Sequence, residues 1–214
     1  MENIQNTTTN IKETTICSLG FQQYLDQIKS FHGSAAPGII IGGFMVDLAI
    51  KHLPKGILFD AISETKSCLP DAIQILTPCT IGNGWLKVLS IGRFAIILYE
   101  KTQGEGVRVY LDVDKIEPWS EIKGWFLKLK PKGQQDYKLL IEQIQNAGTS
   151  IMSLQKIRIK AHLLEKKQGK RIAICSRCKE AYPLGDGTIC LACKGESPYD
   201  LYHDIESPAF FQGI

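Results

Sequence analysis

The sequence has little net charge. Its 25 basic and 22 acidic residues leave +3 over 214 residues, too small a balance to mark a nucleic-acid partner by itself. It lacks a long apolar run. The most apolar stretch, Ile39 to Ile50, contains Asp47 and falls well short of the ~20 residues that a membrane-spanning helix needs. There is no GxGxxG fingerprint, no P-loop and no CxxCH, so dinucleotide, nucleotide-triphosphate and c-type haem motifs are excluded. Gly104-Glu105-Gly106 follows no strand-to-helix pattern and reads as a hairpin turn. No repeat recurs along the chain. Histidine is scarce, four in all, and Ser34 has no base nearby in sequence to make it a nucleophile. The first ten residues are polar and include an acid, which is unlike a secretory leader. A cytoplasmic protein with no membrane partner is therefore expected.

Cysteine, by contrast, is well represented, with seven residues. Four form two pairs, Cys175-Ser-Arg-Cys178 and, eleven residues later, Cys190-Leu-Ala-Cys193. Each pair lets two thiolates grip one ion through a tight turn, and four thiolates complete the tetrahedral shell of structural zinc. The connector holds Pro183-Leu184-Gly185-Asp186-Gly187, which can fold the pairs together. Two disulfides are the rival reading, but nothing else in the chain points to export. Cys17, Cys68 and Cys79 are then free thiols of a reducing compartment. A closed thiolate site leaves no open coordination position, so any chemistry has to be sought elsewhere.

The length allows one sizeable core and a small appendage. Ser18 is placed to cap a helix through Phe21, Tyr24, Leu25 and Ile28. A second helix begins near Pro37 and runs to about Leu53. It is apolar almost all round, and Gly42-Gly43 mark the close approach of another backbone. Ile57 to Ser63 reads as a buried strand and Leu69 to Leu76 as a short helix. Trp85 to Leu89, Arg93 to Tyr99 and Gly106 to Asp112 read as successive strands. Asp136 to Ala147 reads as an amphipathic helix with Leu139, Leu140 and Ile144 inward. The order of elements predicts an α+β fold, helices packed on a largely antiparallel sheet, followed by a small zinc module.

The expected organisation is a flexible N-terminus over 1–15, an α+β domain over 16–150, a basic connecting arm over 151–171, and the four-cysteine module with its tail over 172–214. From Lys156 to Lys179 there are nine basic residues and one acid, Glu165. The alternation of Ile157, Ile159 and Leu163 with basic residues favours a strand paired with Arg171 to Ile174, and a helix over Ser150 to Lys167 is the competing assignment. Such an arm can contact phosphates, although a solvated charged face is the plainer reading. Ser197-Pro198-Tyr199-Asp200 resembles a capping box, and the Phe210-Phe211 tail is expected to dock on protein.

A second group lies in the main domain. His32 precedes a helix N-terminus, where the unpaired N–H groups disfavour imidazolium and keep the ring able to ligate a metal or accept a proton. Cys68, Asp71 and Gln74 are spaced by three and share one face of the short helix. Cys79 follows in the turn after Pro78. Thiolate, carboxylate and imidazole together suit zinc or a softer transition metal. Equally, buried cysteines often merely pack, and lone histidines often merely cap.

The order of Phe31-His32-Gly33-Ser34-Ala35-Ala36-Pro37-Gly38, Cys68-Leu69-Pro70-Asp71-Ala72-Ile73-Gln74, Thr77-Pro78-Cys79-Thr80-Ile81-Gly82-Asn83-Gly84 and the four-cysteine module resembles the FmdE family. That family is named for the FmdE component of molybdenum formylmethanofuran dehydrogenase, after its operon. The resemblance runs from about Phe21 to Cys193, and the final module also looks like the treble-clef finger of DksA/TraR-type proteins. The family loop reads HGHxCPG; here it reads HGSAAPG, with Ser34 and Ala36 in place of histidine and cysteine. The resemblance implies a homodimer with structural zinc and a degenerate main-domain metal site built on His32 and Cys79, beside Cys68, Asp71 and Gln74. It does not imply dehydrogenase activity, which belongs to the molybdenum or tungsten subunits. The leading expectation is an accessory or metal-handling protein of anaerobic redox or one-carbon metabolism, with a redox-enzyme complex as partner. The alternatives are a metal-dependent enzyme that uses His32 and Cys79 on a small substrate, with a second metal ion as cofactor, and a regulator that binds nucleic acid or polymerase.

Overall fold

The computed structural model describes residues 14–164 and 171–200. They divide into two compact units, with the boundary after Leu164.

The first unit begins with a small hairpin, β1 (Thr15–Ile16) and β2 (Leu19–Gly20). Helix α1 (Phe21–His32) follows directly. Ser18 lies in the hairpin turn and caps nothing. Gly20 is the cap instead, its N–H donating to Gln23 Oε1 at 3.0 Å. The hairpin took Ser18 because Cys17, at φ +55°, turns the chain back on itself.

Helix α2 (Pro37–Lys51) is buried on nearly all sides and is the centre of the unit. Its glycines admit neighbours that no Cβ would allow. A methyl at Gly43 would lie 2.4 Å from the Tyr24 ring, and one at Gly42 would lie 2.6 Å from Ala72 Cβ. Side chains of two other helices, rather than another backbone, make these approaches. The Tyr24 hydroxyl completes its contact by donating to Ile39 O at 2.8 Å.

Strand β3 (Phe59–Ser63), helix α3 (Leu69–Leu76), and strands β4 (Leu86–Val88), β5 (Ala95–Glu100) and β6 (Glu105–Leu111) come next. Helices α4 (Ser120–Phe126) and α5 (Tyr137–Ala147) precede β7 (Met152–Arg158) and the short α6 (Ala161–Leu164). The sheet order is β4-β3-β5-β6-β7. Only β3–β4 is parallel, and α3 makes the crossover that a parallel pair requires. The α+β class and the mostly antiparallel sheet are as the sequence predicts.

Val107, Val109 and Leu111 alternate inward along β6 and join the main core with α2 and α5. The opposite face carries a smaller cluster of Ile62, Tyr99 and Ile159. On β6 between the buried valines, Arg108 grips the buried Glu64 with two 2.8 Å bonds, from Nε and from Nη2.

Several sequence expectations are corrected. Residues 152–158, assigned to the basic arm, form edge strand β7, paired with β6 and not with Arg171 to Ile174. Seven ladder positions on β6 outcompete a short partner across a polar turn. Leu139 is exposed, since the inward stripe of α5 is Leu140, Ile144 and Ala147. Helix α4 was not foreseen, because Gly124 interrupts its seven residues.

In the second unit, β8 (Ile172–Ile174) pairs with β9 (Ala181–Pro183). Residues 197–200 form no helix; Ser197 Oγ closes a local turn on Tyr199 O at 2.8 Å. Phe210 and Phe211 lie outside the described residues. Among the described residues no helix is long and apolar enough to cross a membrane.

Candidate functional site

The four paired cysteines converge. The sulfurs of Cys175, Cys178, Cys190 and Cys193 all lie within 4.8 Å of one another, and Cys178 Sγ is 3.6 Å from Cys190 Sγ. A tetrahedron with Zn–S bonds of ~2.3 Å has edges of about 3.8 Å. Local backbone geometry brings them there. Lys179 N–H donates to Cys175 O at 2.9 Å, Lys179 sits at φ +66°, and Cys175 N–H donates to Glu180 O at 2.8 Å. The second pair turns through Cys193 N–H donating to Cys190 Sγ at 3.4 Å, and Gly195 at φ +99° ends that turn. Arg177 ties the two pairs by donating to Cys193 O at 3.0 Å.

The charge balance of the cluster asks for a cation. Backbone N–H groups of Cys190 and Cys178 hold the Cys175 thiol down to about 6. The neighbouring Cys190 side chain and burial push Cys193 up to about 12. Four sulfurs this close cannot all ionise without a dication among them. Zinc would supply that charge and hold the module together, with Cys175, Cys178, Cys190 and Cys193 as its ligands.

The main-domain candidates separate into two neighbourhoods. His32, the last residue of α1, and Asp71, in the first turn of α3, meet through Nδ1 and Oδ2 at 2.7 Å. Cys68 caps α3 at φ +60° and packs its sulfur on α2, 2.7 Å from where a Cβ on Gly38 would stand. Burial, then the charge of Asp71, pushes its thiol upward. Cys79 lies beyond the other end of α3. Its sulfur is buried and reaches Phe59 O at 3.5 Å, its N–H donates to Thr77 Oγ1 at 3.0 Å, and its charged neighbours are Asp60 and Lys101. Burial raises the Cys79 thiol too, with the Thr77 hydrogen bond acting against it. Gln74 Oε1 is occupied by Ile81 N–H at 3.2 Å. The structure thus joins His32 to Asp71, sets Cys68 beside Asp71, and gives Cys79 and Gln74 partners of their own. Raised thiols are poor ligands until deprotonated. Among the described residues, the four-cysteine cluster is the single group of three or more close His, Cys, Asp or Glu side chains suited to an ion.

Sequence reasoning missed what stands opposite the Ser34–Pro37 loop. The Tyr137 hydroxyl donates to Ala35 O and pins that loop to the start of α5. Between them a cavity of about 870 Å³ is lined by residues from the loop and by Trp125, Lys128, Lys130, Lys132 and Gln135. The alternation Lys128-Leu129-Lys130-Pro131-Lys132 was the available signal.

Comparison with known proteins agrees with both halves of the chain. The family described as FmdE, molybdenum formylmethanofuran dehydrogenase operon, matches residues 31–160. The FmdE treble clef zinc finger matches residues 166–200. A crystal structure of a tungsten formylmethanofuran dehydrogenase FmdE-like protein from Syntrophus aciditrophicus is 53% identical with a TM-score of 0.83, covering 88% of this chain and 100% of that one. A probable S-adenosyl-L-methionine-binding protein of Archaeoglobus fulgidus is 28% identical over 190 residues, covering 78% of this chain. The chain spans about half, 51%, of the length of that curated relative.

Proposed function

The chain belongs to the FmdE family, and from that premise we propose that it is a zinc-stabilised accessory protein of anaerobic redox or one-carbon metabolism, not a component that performs the chemistry. The observation that carries this reading is the state of the first loop. Ser34 and Ala36 stand where the family resemblance calls for histidine and cysteine, and the remaining His32 is engaged by Asp71 at 2.7 Å. Cys68 and Cys79 are packed thiols raised by burial. Ligating capacity is concentrated in Cys175, Cys178, Cys190 and Cys193, a closed set that stabilises a fold and leaves no position for substrate. The Syntrophus relative is described as a tungsten formylmethanofuran dehydrogenase FmdE-like protein, which supports a redox-enzyme complex as the setting.

A pair of chains is the proposed working form. Leu58, Ile91 and Leu129 are each more than 60% exposed and offer apolar surface for a second copy.

One observation favours the enzyme alternative. A carboxylate that holds a histidine at Nδ1 is the usual way of orienting the ring for metal binding through Nε2, and Asp71 does this to His32. Elemental analysis of protein purified without added metal separates the readings. One zinc per chain is expected. Two ions per chain, the second lost on His32→Ala, would replace the accessory reading with the enzyme one.

A further inference from the structure

The cavity beside the Ser34–Pro37 loop has an unusual lining. Three lysines, Lys128, Lys130 and Lys132, face it with no carboxylate among its lining residues. Lys130 is neutralised by the buried Glu121 at 2.7 Å. The side chains of Lys128 and Lys132 have no hydrogen bond or ion pair to any described residue. Two cations without a described partner are thus gathered on one cavity, whereas the cleft lined by His52, Lys156 and Arg158 balances its charge with Glu100 and Glu105.

The rest of the lining is aromatic and polar. Trp125 is fixed edge-on to Phe94, at 6.3 Å and 82°, and braced by Phe126 at 6.1 Å. Tyr137 is fixed by its bond to Ala35 O. Neither ring needs to be ordered by a ligand, so stacking on either costs little entropy. The Ser34 hydroxyl, also on the lining, has no partner among the described residues and can donate. Lys128 holds φ +55° just past the end of α4, where glycine would be the unstrained choice. Backbone strain of this kind is tolerated where a side chain has a task.

We propose that this cavity binds a nucleoside phosphate, with the phosphate on Lys128, Lys132 and the Ser34 hydroxyl and the base against Trp125 or Tyr137. Lysine ammonium groups suit phosphate as point charges, and aromatic side chains accept the face of any base. A volume of about 870 Å³ is within the range of small-ligand sites. The site shares no residue with the four-cysteine cluster or with the His32–Asp71 pair, and it stands whether or not the accessory reading does.

Titration calorimetry of the intact zinc-loaded chain with ADP tests it. Saturable binding is expected, weakening as salt rises. The double variant Lys128→Gln, Lys132→Gln should weaken it by about tenfold or more. Both side chains are exposed and pair with no described residue, so the melting temperature should not move. Pyrophosphate should bind more weakly than ADP, because it has no ring to stack. The proposal is overturned by no saturation up to millimolar ADP, by undiminished binding in the double variant, or by pyrophosphate binding as tightly as ADP. Displacement of ADP by a short single-stranded oligonucleotide at lower concentration would also overturn it and reassign the cavity to nucleic acid.

Discussion

His32 Nδ1 and Asp71 Oδ2 are 2.7 Å apart, joining residues thirty-nine positions distant at the mouth of the first loop. The two side chains keep 36% and 28% of their exposure, so solvent screens them. Replacing Asp71 by Asn should therefore cost only about 0–1 kcal/mol of stability. In the proposed reading the pair matters instead as the remnant of a ligand set. Ser34→His with Ala36→Cys should raise metal uptake above one ion per chain, and adding His32→Ala should abolish the gain. Metal counts of the three proteins decide this; equal counts in the double variant and the native chain would show that the loop is not the missing part.

Removing one zinc ligand should separate the two units in stability. Cys178→Ser should lose the ion, and amide exchange should then become fast over 171–200 while the protected strands of the first unit stay unchanged. A strong chelator should produce the same pattern in the native chain. The physical reason is the small core of the second unit, in which Cys175 and Tyr182 are the buried side chains among the described residues, leaving metal binding to supply most of its folding free energy.

Alkaline pH should destabilise the first unit in a window set by Cys17. Burial, then the charge of Asp47, pushes its thiol up to about 11 from 9.0. The unfolded chain loses this proton first, so it binds fewer protons than the native state above pH 9. Stability from this group is full below pH 9 and falls until about pH 11. Chemical denaturation of native protein and Cys17→Ser across pH 8 to 11 should show a shallower loss in the variant. Identical slopes would remove Cys17 from the account.

Gly43→Ala should be among the costlier single-methyl changes in the chain. Its Cβ would stand 2.4 to 2.6 Å from three atoms of Tyr24, which is held by its bond to Ile39 O. Overpacking of this kind costs about 1–3 kcal/mol. Gly82→Ala, with nothing within 4 Å of its Cβ, is the control. Denaturation midpoints should separate the two clearly.

The proposed pair of chains should sediment at twice the chain mass at micromolar concentration. An obligate interface buries about 2,000 Å² or more, which makes the dimer insensitive to salt. A monomer at low and high salt would leave the exposed Leu58, Ile91 and Leu129 for a different partner.

Elements with their own periodicity or punctuation were legible in the sequence. Pro37 opens α2, Pro70 and Asp71 open α3, and Asp136 caps α5 by accepting Leu139 N–H at 3.0 Å. The paired cysteines were legible because metal fixes their spacing whatever surrounds them. What failed depended on competition between distant segments. The sequence shows that 157–163 alternates, but not that Ile157 and Arg158 end a ladder on β6 that starts at Met152, while Ala161–Leu164 turn into α6. Ser18 is a good cap in isolation and loses to a hairpin set by Cys17. The lysine-lined cavity was hidden for a similar reason. Its walls come from residues 34–37 and 125–137, and Tyr137 alone reveals that they meet.

Strand β7 closes one end of the five-stranded sheet, and its outer edge is not paired to any described strand. An open ladder invites another chain to add itself, and growth by repeated addition ends in aggregates. Along this strand Gln155, Lys156 and Arg158 are exposed. Arg158 is held by Glu105 at 2.5 Å, so a second copy arriving edge to edge would have to desolvate the Lys156 cation and an ion pair on each chain. The same charges that suggested a phosphate-seeking arm therefore act as a guard on the sheet, and neutralising Lys156 and Arg158 should be paid for in solubility before any effect on folding is seen.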